Sequence, residues 1–221
     1  ILTTQYRMIE NIGNLISKVF YRGIIDTGCN DDEKRHGLNR YVGKSIVWFD
    51  TSANKKKSQK RTKGGSYINE EEKRIILEIL DDLKSTGELK GLDIGIITGY
   101  SGQKELLRKS IKATGLDKIA SKIDINTLDA FQGRENDIII YSTVRTRDSI
   151  GFQKEKERVN VAFSRAKKLL IVCGDKNFFY NFDDQDNKFV EIIDYISEGE
   201  ECEIIPVSYT HLRAHETSQD L

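Results

Sequence analysis

The sequence predicts an α/β domain, a parallel β-sheet with helices on both faces. Three observations carry that expectation. Short apolar runs recur at 45–50, 93–98, 137–143 and 169–173, as strands buried on both faces require. Between them, apolar residues return every three or four positions, the spacing of one helix face. The chain holds a single proline, Pro206, against 17 glycines, so its turns are punctuated by Gly, Asn and Asp. Strands alternating with helices favour parallel pairing through helical crossovers.

The elements follow in order. Ile12, Leu15, Ile16, Val19 and Phe20 mark one helix face. Ser45–Asp50 reads as a buried strand. Residues 51–66 are polar and carry Lys55, Lys56, Lys57, Lys60, Arg61 and Lys63, so they read as a solvated loop. Asn69 with Glu72 three residues on opens a helix in capping-box fashion, and Ile75, Ile76, Ile79, Leu80 and Leu83 give its inward face. Asp93–Thr98 is a strand, 102–113 a helix with Leu106, Leu107 and Ile111 inward, and Ile123–Thr127 and Asp137–Thr143 are strands. Residues 157–167 are expected helical, Leu169–Cys173 a strand and 187–197 a last helix. In parallel α/β sheets ligands sit at the carboxyl ends of the strands, so function is expected just after residues 98, 127, 143 and 173.

Composition bounds the class. The chain has 221 residues, 38% apolar, with 35 basic and 35 acidic side chains and no net charge. That suits one domain with a buried core and excludes a disordered chain, a collagen and a coiled-coil rod. No apolar run approaches the ~18 residues of a membrane span. Cys29, Cys173 and Cys202 are odd in number and far apart; a disulfide framework or zinc ribbon is not expected, and a reducing, intracellular setting is. The opening Ile-Leu-Thr-Thr-Gln has neither Met nor a basic-then-apolar leader, and is read as starting inside a longer protein. Residues 1–206 are taken as the domain. Val207–Leu221, with His211 and His215, looks like translated adapter sequence and is expected to carry no function, metal binding included.

The phosphate-cradling Gly-x-x-x-x-Gly-Lys-Ser/Thr is absent from the chain, as is Gly-x-Gly-x-x-Gly. Instead there are three arginine-bearing clusters: Gln5-Tyr6-Arg7-Met8, Thr127-Leu-Asp-Ala-Phe-Gln-Gly-Arg-Glu135 and Val159-Asn-Val-Ala-Phe-Ser-Arg165. With Thr98-Gly-Tyr-Ser-Gly-Gln103 they stand in one order along residues 1–180. In these blocks the chain resembles the second RecA-like domain of superfamily-one helicases of the up-frameshift and senataxin type. It departs from that pattern where Ile9-Glu10 replace His-Pro and Gly99 replaces Pro.

The resemblance implies a RecA-like sheet of the P-loop NTPase superfamily, without a phosphate loop of its own. It implies ATP with Mg2+ as cofactor, the metal ligands lying on a preceding first RecA-like domain of the same polypeptide, and single-stranded DNA or RNA as partner. Arg7 and Arg165 would be the γ-phosphate arginines, because a fork of donors that never loses its charge suits a phosphoryl transition state. Tyr6 would lie against the adenine, Glu135 would accept from the ribose, and Gln5 would belong to the same nucleotide-facing group. Gly133 would give a turn that lets backbone approach the ligand. Thr98, Tyr100 and Thr127, at strand ends, are expected on the nucleic-acid backbone, where hydroxyls suit phosphates.

Other readings stand beside these. Tyr6 could be core. Arg134 could serve only a surface ion pair, Arg145 and Arg147 are expected as ordinary charges at a strand end, and the basic loop as a solvated segment. The rival functions are a repair-type superfamily-one helicase of opposite polarity and a nonenzymatic nucleic-acid-binding module with a decayed ATP site.

Overall fold

The structure, a computed structural model, describes residues 3–88, 91–116, 123–131 and 133–207. Gln132 of the second cluster and the tail from 208, with His211 and His215, lie outside the described residues.

In chain order the elements are β1 (Thr4–Gln5), α1 (Glu10–Tyr21), β2 (Asp26–Thr27), α2 (Asp31–Lys34), β3 (Ile46–Asp50), β4 (Lys60–Arg61), β5 (Tyr67–Ile68), α3 (Glu70–Ser85), β6 (Ile94–Thr98), α4 (Ser101–Ala113), β7 (Ile123–Thr127), β8 (Asn136–Ser142), α5 (Lys156–Phe163), β9 (Ala166–Gly174), α6 (Lys176–Tyr180), α7 (Phe189–Glu198) and β10 (Cys202–Pro206). Among the described residues the central sheet has six strands in the order β10-β3-β9-β8-β6-β7. Every pairing in it is parallel.

The expected two-sided sheet is what the residues build. Successive side chains on a strand point to opposite faces, and both faces are covered. Trp48 of β3, Tyr141 of β8 and Leu170 and Val172 of β9 pack with Ile12, Leu15, Phe163, Phe189 and Ile192 of α1, α5 and α7. Their neighbours Val47, Phe49, Ile138, Ile140 and Ile171 pack on the other face against Ile75, Ile79, Leu80 and Leu107 of α3 and α4. Cys173 is buried in this second core, and all three cysteines are free thiols.

Four details depart from expectation. The helix expected over 157–167 stops at Phe163. Arg165 is its exit turn, because Ala166 already pairs with Asn136 as the start of a nine-residue β9. The basic loop is partly ordered: β4 and β5 form an antiparallel ribbon closed by Thr62 N–H to Ser66 O at 2.7 Å. Gln59 within it is buried and exchanges two hydrogen bonds with Thr146. Strand β10 occupies an edge, the place where a strand proline is tolerated. Packing runs one residue past the expected boundary: Val207 is buried and its N–H donates to Asp50 O at 2.8 Å.

Candidate functional site

The three arginine-bearing clusters meet at one place. Arg7 lies just before α1, Glu135 just before β8 and Arg165 just before β9. Asn136 N–H donates to Arg165 O at 3.1 Å, and Ile9 N–H to Lys167 O at 2.8 Å. These backbone bonds bring the three side chains to the amino ends of β8 and β9. The cluster thus lies at the opposite end of the sheet from residues 98, 127, 143 and 173, after which function is expected.

Arg7 Nε donates to Glu135 Oε2 at 2.6 Å, with both side chains about four-tenths exposed (39% and 45%). Arg7 Nη1 reaches Ser164 O at 3.4 Å. Arg165 Nε donates to Val161 O at 3.1 Å. Partial burial lowers the Arg165 guanidinium from its ordinary value; Arg7 adds to that by repulsion, and Glu135 opposes it. Glu135 is ion-paired with Arg7 and acts on Arg165 only through its field, so the Arg165 guanidinium has no carboxylate partner of its own among the described residues. An anion of several oxygens fits such a rim.

Gln5 has a different task from the one expected. Its Oε1 accepts from Arg7 N–H at 2.9 Å and Met8 N–H at 2.8 Å. Its Nε2 donates to Met8 O and Thr27 Oγ1. That is the full capacity of an amide, so Gln5 shapes the Arg7 backbone. Lys34 completes the clamp by donating to the Tyr6 and Arg7 carbonyls at 2.8 and 2.7 Å. Tyr6 is not core: it is 69% exposed, resting on Gly28. Gly133 sits at φ 85°, a left-handed turn that favours glycine. Arg134 forms a surface ion pair with Asp124.

The expected nucleic-acid residues lie at the other end of the sheet. Thr127 ends the edge strand β7 and is half-buried. Thr98 is fully buried, and its Oγ1 accepts from Tyr100 N–H at 3.4 Å. The Thr98 side chain is thus closed off from solvent in this structure. Tyr100 is nearly buried, its phenol pushed up to about 12, chiefly by that burial. Arg145, expected as an ordinary charge, is also buried: it stacks on Tyr67 at 4.2 Å and donates from Nε to Ser149 O at 2.8 Å.

Beneath these residues is a buried polar network that sequence reasoning saw only as a helix cap. Asn69 Oδ1 accepts from Glu71 and Glu72 N–H, as expected. The Glu72 carboxylate, however, reaches across to β8. It accepts from Ser142 Oγ at 2.6 Å, Thr143 Oγ1 at 3.0 Å and Val144 N–H at 2.9 Å. Gln103 joins by accepting from Asn69 N–H and donating to Asn69 O and Ser142 Oγ. Val144 is held at φ 67°, a strained value for a β-branched residue. Burial pushes the Glu72 carboxyl up to about 7, against the hydrogen bonds from Ser142, Val144 and Thr143. A glutamate at the third position of a helix that also faces the sheet was the available signal.

The family described as an AAA domain matches residues 1–177. The chain belongs to that family. It is 36% identical over 185 residues to "Helicase SEN1" of Saccharomyces cerevisiae, covering 79% of this chain and 8% of that protein. It is 31% identical over 182 residues to "ATP-dependent helicase NAM7" of the same yeast, covering 79% of this chain and 18% of that protein. The chain therefore spans less than a fifth of either relative. A solved C-terminal domain of a possible DNA helicase from a Lactobacillus is 14% identical, with a TM-score of 0.46 over 77% of this chain and 88% of that one.

Proposed function

We propose that this chain is the second RecA-like motor domain of an ATP-dependent helicase acting on single-stranded DNA or RNA. The observation that carries the reading is the convergence of Arg7, Glu135 and Arg165 from three distant segments. Relatives bearing the name helicase support it. The reading places the protein inside the cell, and among the described residues no helix is long and apolar enough to cross a membrane.

ATP with Mg2+ would be cradled by a first RecA-like domain of the same polypeptide, and would supply the phosphoryl group and its developing charge. The residues here fit that ligand. Arg7 and Arg165 would hold the γ-phosphate, where fixed positive charge would lower the barrier. Glu135, paired with Arg7 in this structure, would be the residue to accept from the ribose of bound nucleotide. Exposed Tyr6 offers a ring to the adenine, while Gln5 and Lys34 keep the Arg7 backbone in place. Arginine contacts made only before hydrolysis tie domain closure to the nucleotide state. Thr127 and the loops after β6 and β8 would face the strand.

The test is Arg165→Ala in the full-length protein. ATP turnover should fall by about 10³-fold, as for other arginine fingers, while nucleic-acid binding without nucleotide changes little. Near-normal turnover in that variant, or robust turnover by these 221 residues alone, would overturn the shared-site reading.

A further inference from the structure

Residues 26–34 lie against the segment that carries Tyr6 and Arg7. Strand β2 pairs in parallel with β1, Thr4 opposite Asp26 and Gln5 opposite Thr27. Asp26 N–H donates to Thr3 O at 2.7 Å and Gly28 N–H to Gln5 O at 2.9 Å, closing the pair at both ends. Asp31 Oδ1 accepts from Glu10 N–H at 2.9 Å, satisfying a donor in the first turn of α1. Lys34 Nζ donates to the Tyr6 and Arg7 carbonyls. The backbone on both sides of Tyr6 is thus held by the 26–34 segment.

The Tyr6 side chain is treated differently. It is 69% exposed, and one edge of its ring is set down on Gly28. A Cβ on Gly28 would stand 2.8 Å from Tyr6 Cζ, closer still to Cε1, and 3.0 Å from Thr4 Cγ2. Carbon atoms in good contact stay about 3.5–4.0 Å apart, so any side chain at position 28 evicts the ring from its seat. Gly28 is not among the glycines at positive φ. A methyl group there therefore costs the seat of the ring and no backbone strain. The ring ends an exposed side chain and can swing away, which leaves the fold intact.

We infer that Gly28 is a positioning residue of the nucleotide site: its bare Cα is the seat that fixes where the Tyr6 ring lies, while Lys34 holds the backbone behind it. This rests on the reading of the chain as a nucleotide-driven motor domain with Tyr6 against the adenine. A ring already held in one place stacks on a base without first giving up its rotamer freedom. Since Lys34 bonds the carbonyls of both Tyr6 and Arg7, the seated ring and the arginine hang from one fixed stretch of backbone.

The experiment is calorimetric titration of a non-hydrolysable ATP analogue into the full-length protein, as wild type, Gly28→Ala, Tyr6→Ala and the double variant. Gly28→Ala should weaken binding by about 10-fold, the size of one base stack. Its melting temperature should stay within about two degrees of wild type, because only an exposed ring moves. Tyr6→Ala should weaken binding by a similar factor. The double variant should bind within about 2-fold of Tyr6→Ala, because the added methyl group then meets no ring. Wild-type affinity in Gly28→Ala beside a weakened Tyr6→Ala overturns the inference. So does an equal loss from Gly28→Ala with and without the Tyr6 ring. Both results leave the motor reading intact. Tyr6→Ala that binds like wild type removes the adenine contact and the inference with it. A wild-type protein that binds no nucleotide overturns the motor reading itself.

Discussion

The two ends of the sheet are built on opposite plans. At the amino end, Arg7, Glu135 and Arg165 are partly exposed, and the one carboxylate is paired with Arg7 alone. At the carboxyl end, Asn69, Glu72, Gln103 and Ser142 are fully buried and close their hydrogen bonds on one another. The amino-end groups keep spare capacity and a path to solvent, as the proposed ligand contact requires. Groups that hold backbone in a costly shape spend all of theirs. The strained Val144 turn, with Arg145 N–H donating to Thr143 O at 2.8 Å, needs that second kind of support.

Truncation tests the contrast most severely. Glu72→Ala leaves buried donors of Ser142, Thr143 and Val144 without their acceptor. The expected loss is about 3 kcal/mol at pH 6, lowering the melting temperature by roughly 10 °C for a domain of this size. A thermal melt within two degrees of wild type would show that the network is not what supports the turn.

A pH series sharpens the same point. The folded Glu72 carboxyl, pushed up to about 7 by burial, lies above the ordinary 4.5 of the unfolded chain. Between those values the folded protein holds a proton that the unfolded chain has lost. The contribution of this group to stability is therefore fully present below pH 4.5 and falls as pH climbs to about 7, by on the order of 3 kcal/mol. Glu72→Gln cannot ionise. Urea melts at pH 5 and pH 8 should show the Gln variant gaining on wild type at the higher pH. A gap between the two proteins that does not move with pH contradicts the raised value.

The smallest effect belongs to the open end. Glu135→Gln breaks an ion pair whose partners are 39% and 45% exposed. Solvent screens such pairs, so stability should shift by less than about 1 kcal/mol. Nucleotide affinity of the full-length protein is the property expected to change. A large drop in melting temperature would mean that the pair is structural after all.

Much of the fold was legible. The runs at 45–50, 93–98, 137–143 and 169–173 are apolar because both faces of their strands are covered, and each became a central or near-central strand. Strand β10 escaped notice because an edge strand can carry Glu203 and end on Pro206. The β4–β5 ribbon was hidden by Lys60 and Arg61, which point to solvent from two-residue strands. At the amino end, the motifs named Arg7, Glu135 and Arg165, but only the folded chain shows Arg7 paired with Glu135 and the Arg165 backbone bonded to Asn136. Arg145 was misjudged because a strand-end arginine reads as solvated, and nothing nearby in sequence announces the Tyr67 ring it covers. Glu72 was read locally as a cap, since a contact to residues 70 positions away leaves no local pattern.

The connection from β7 to β8 is short. It leaves the carboxyl end of one strand and enters the amino end of another in the eight residues 128–135, where parallel crossovers usually take about a dozen or more. Leu128 is fastened at the start by its N–H to Thr98 O, and its side chain and that of Phe131 are sunk in the core. Glu135 and Thr127, at opposite ends of the sheet, thus lie only eight residues apart in the chain.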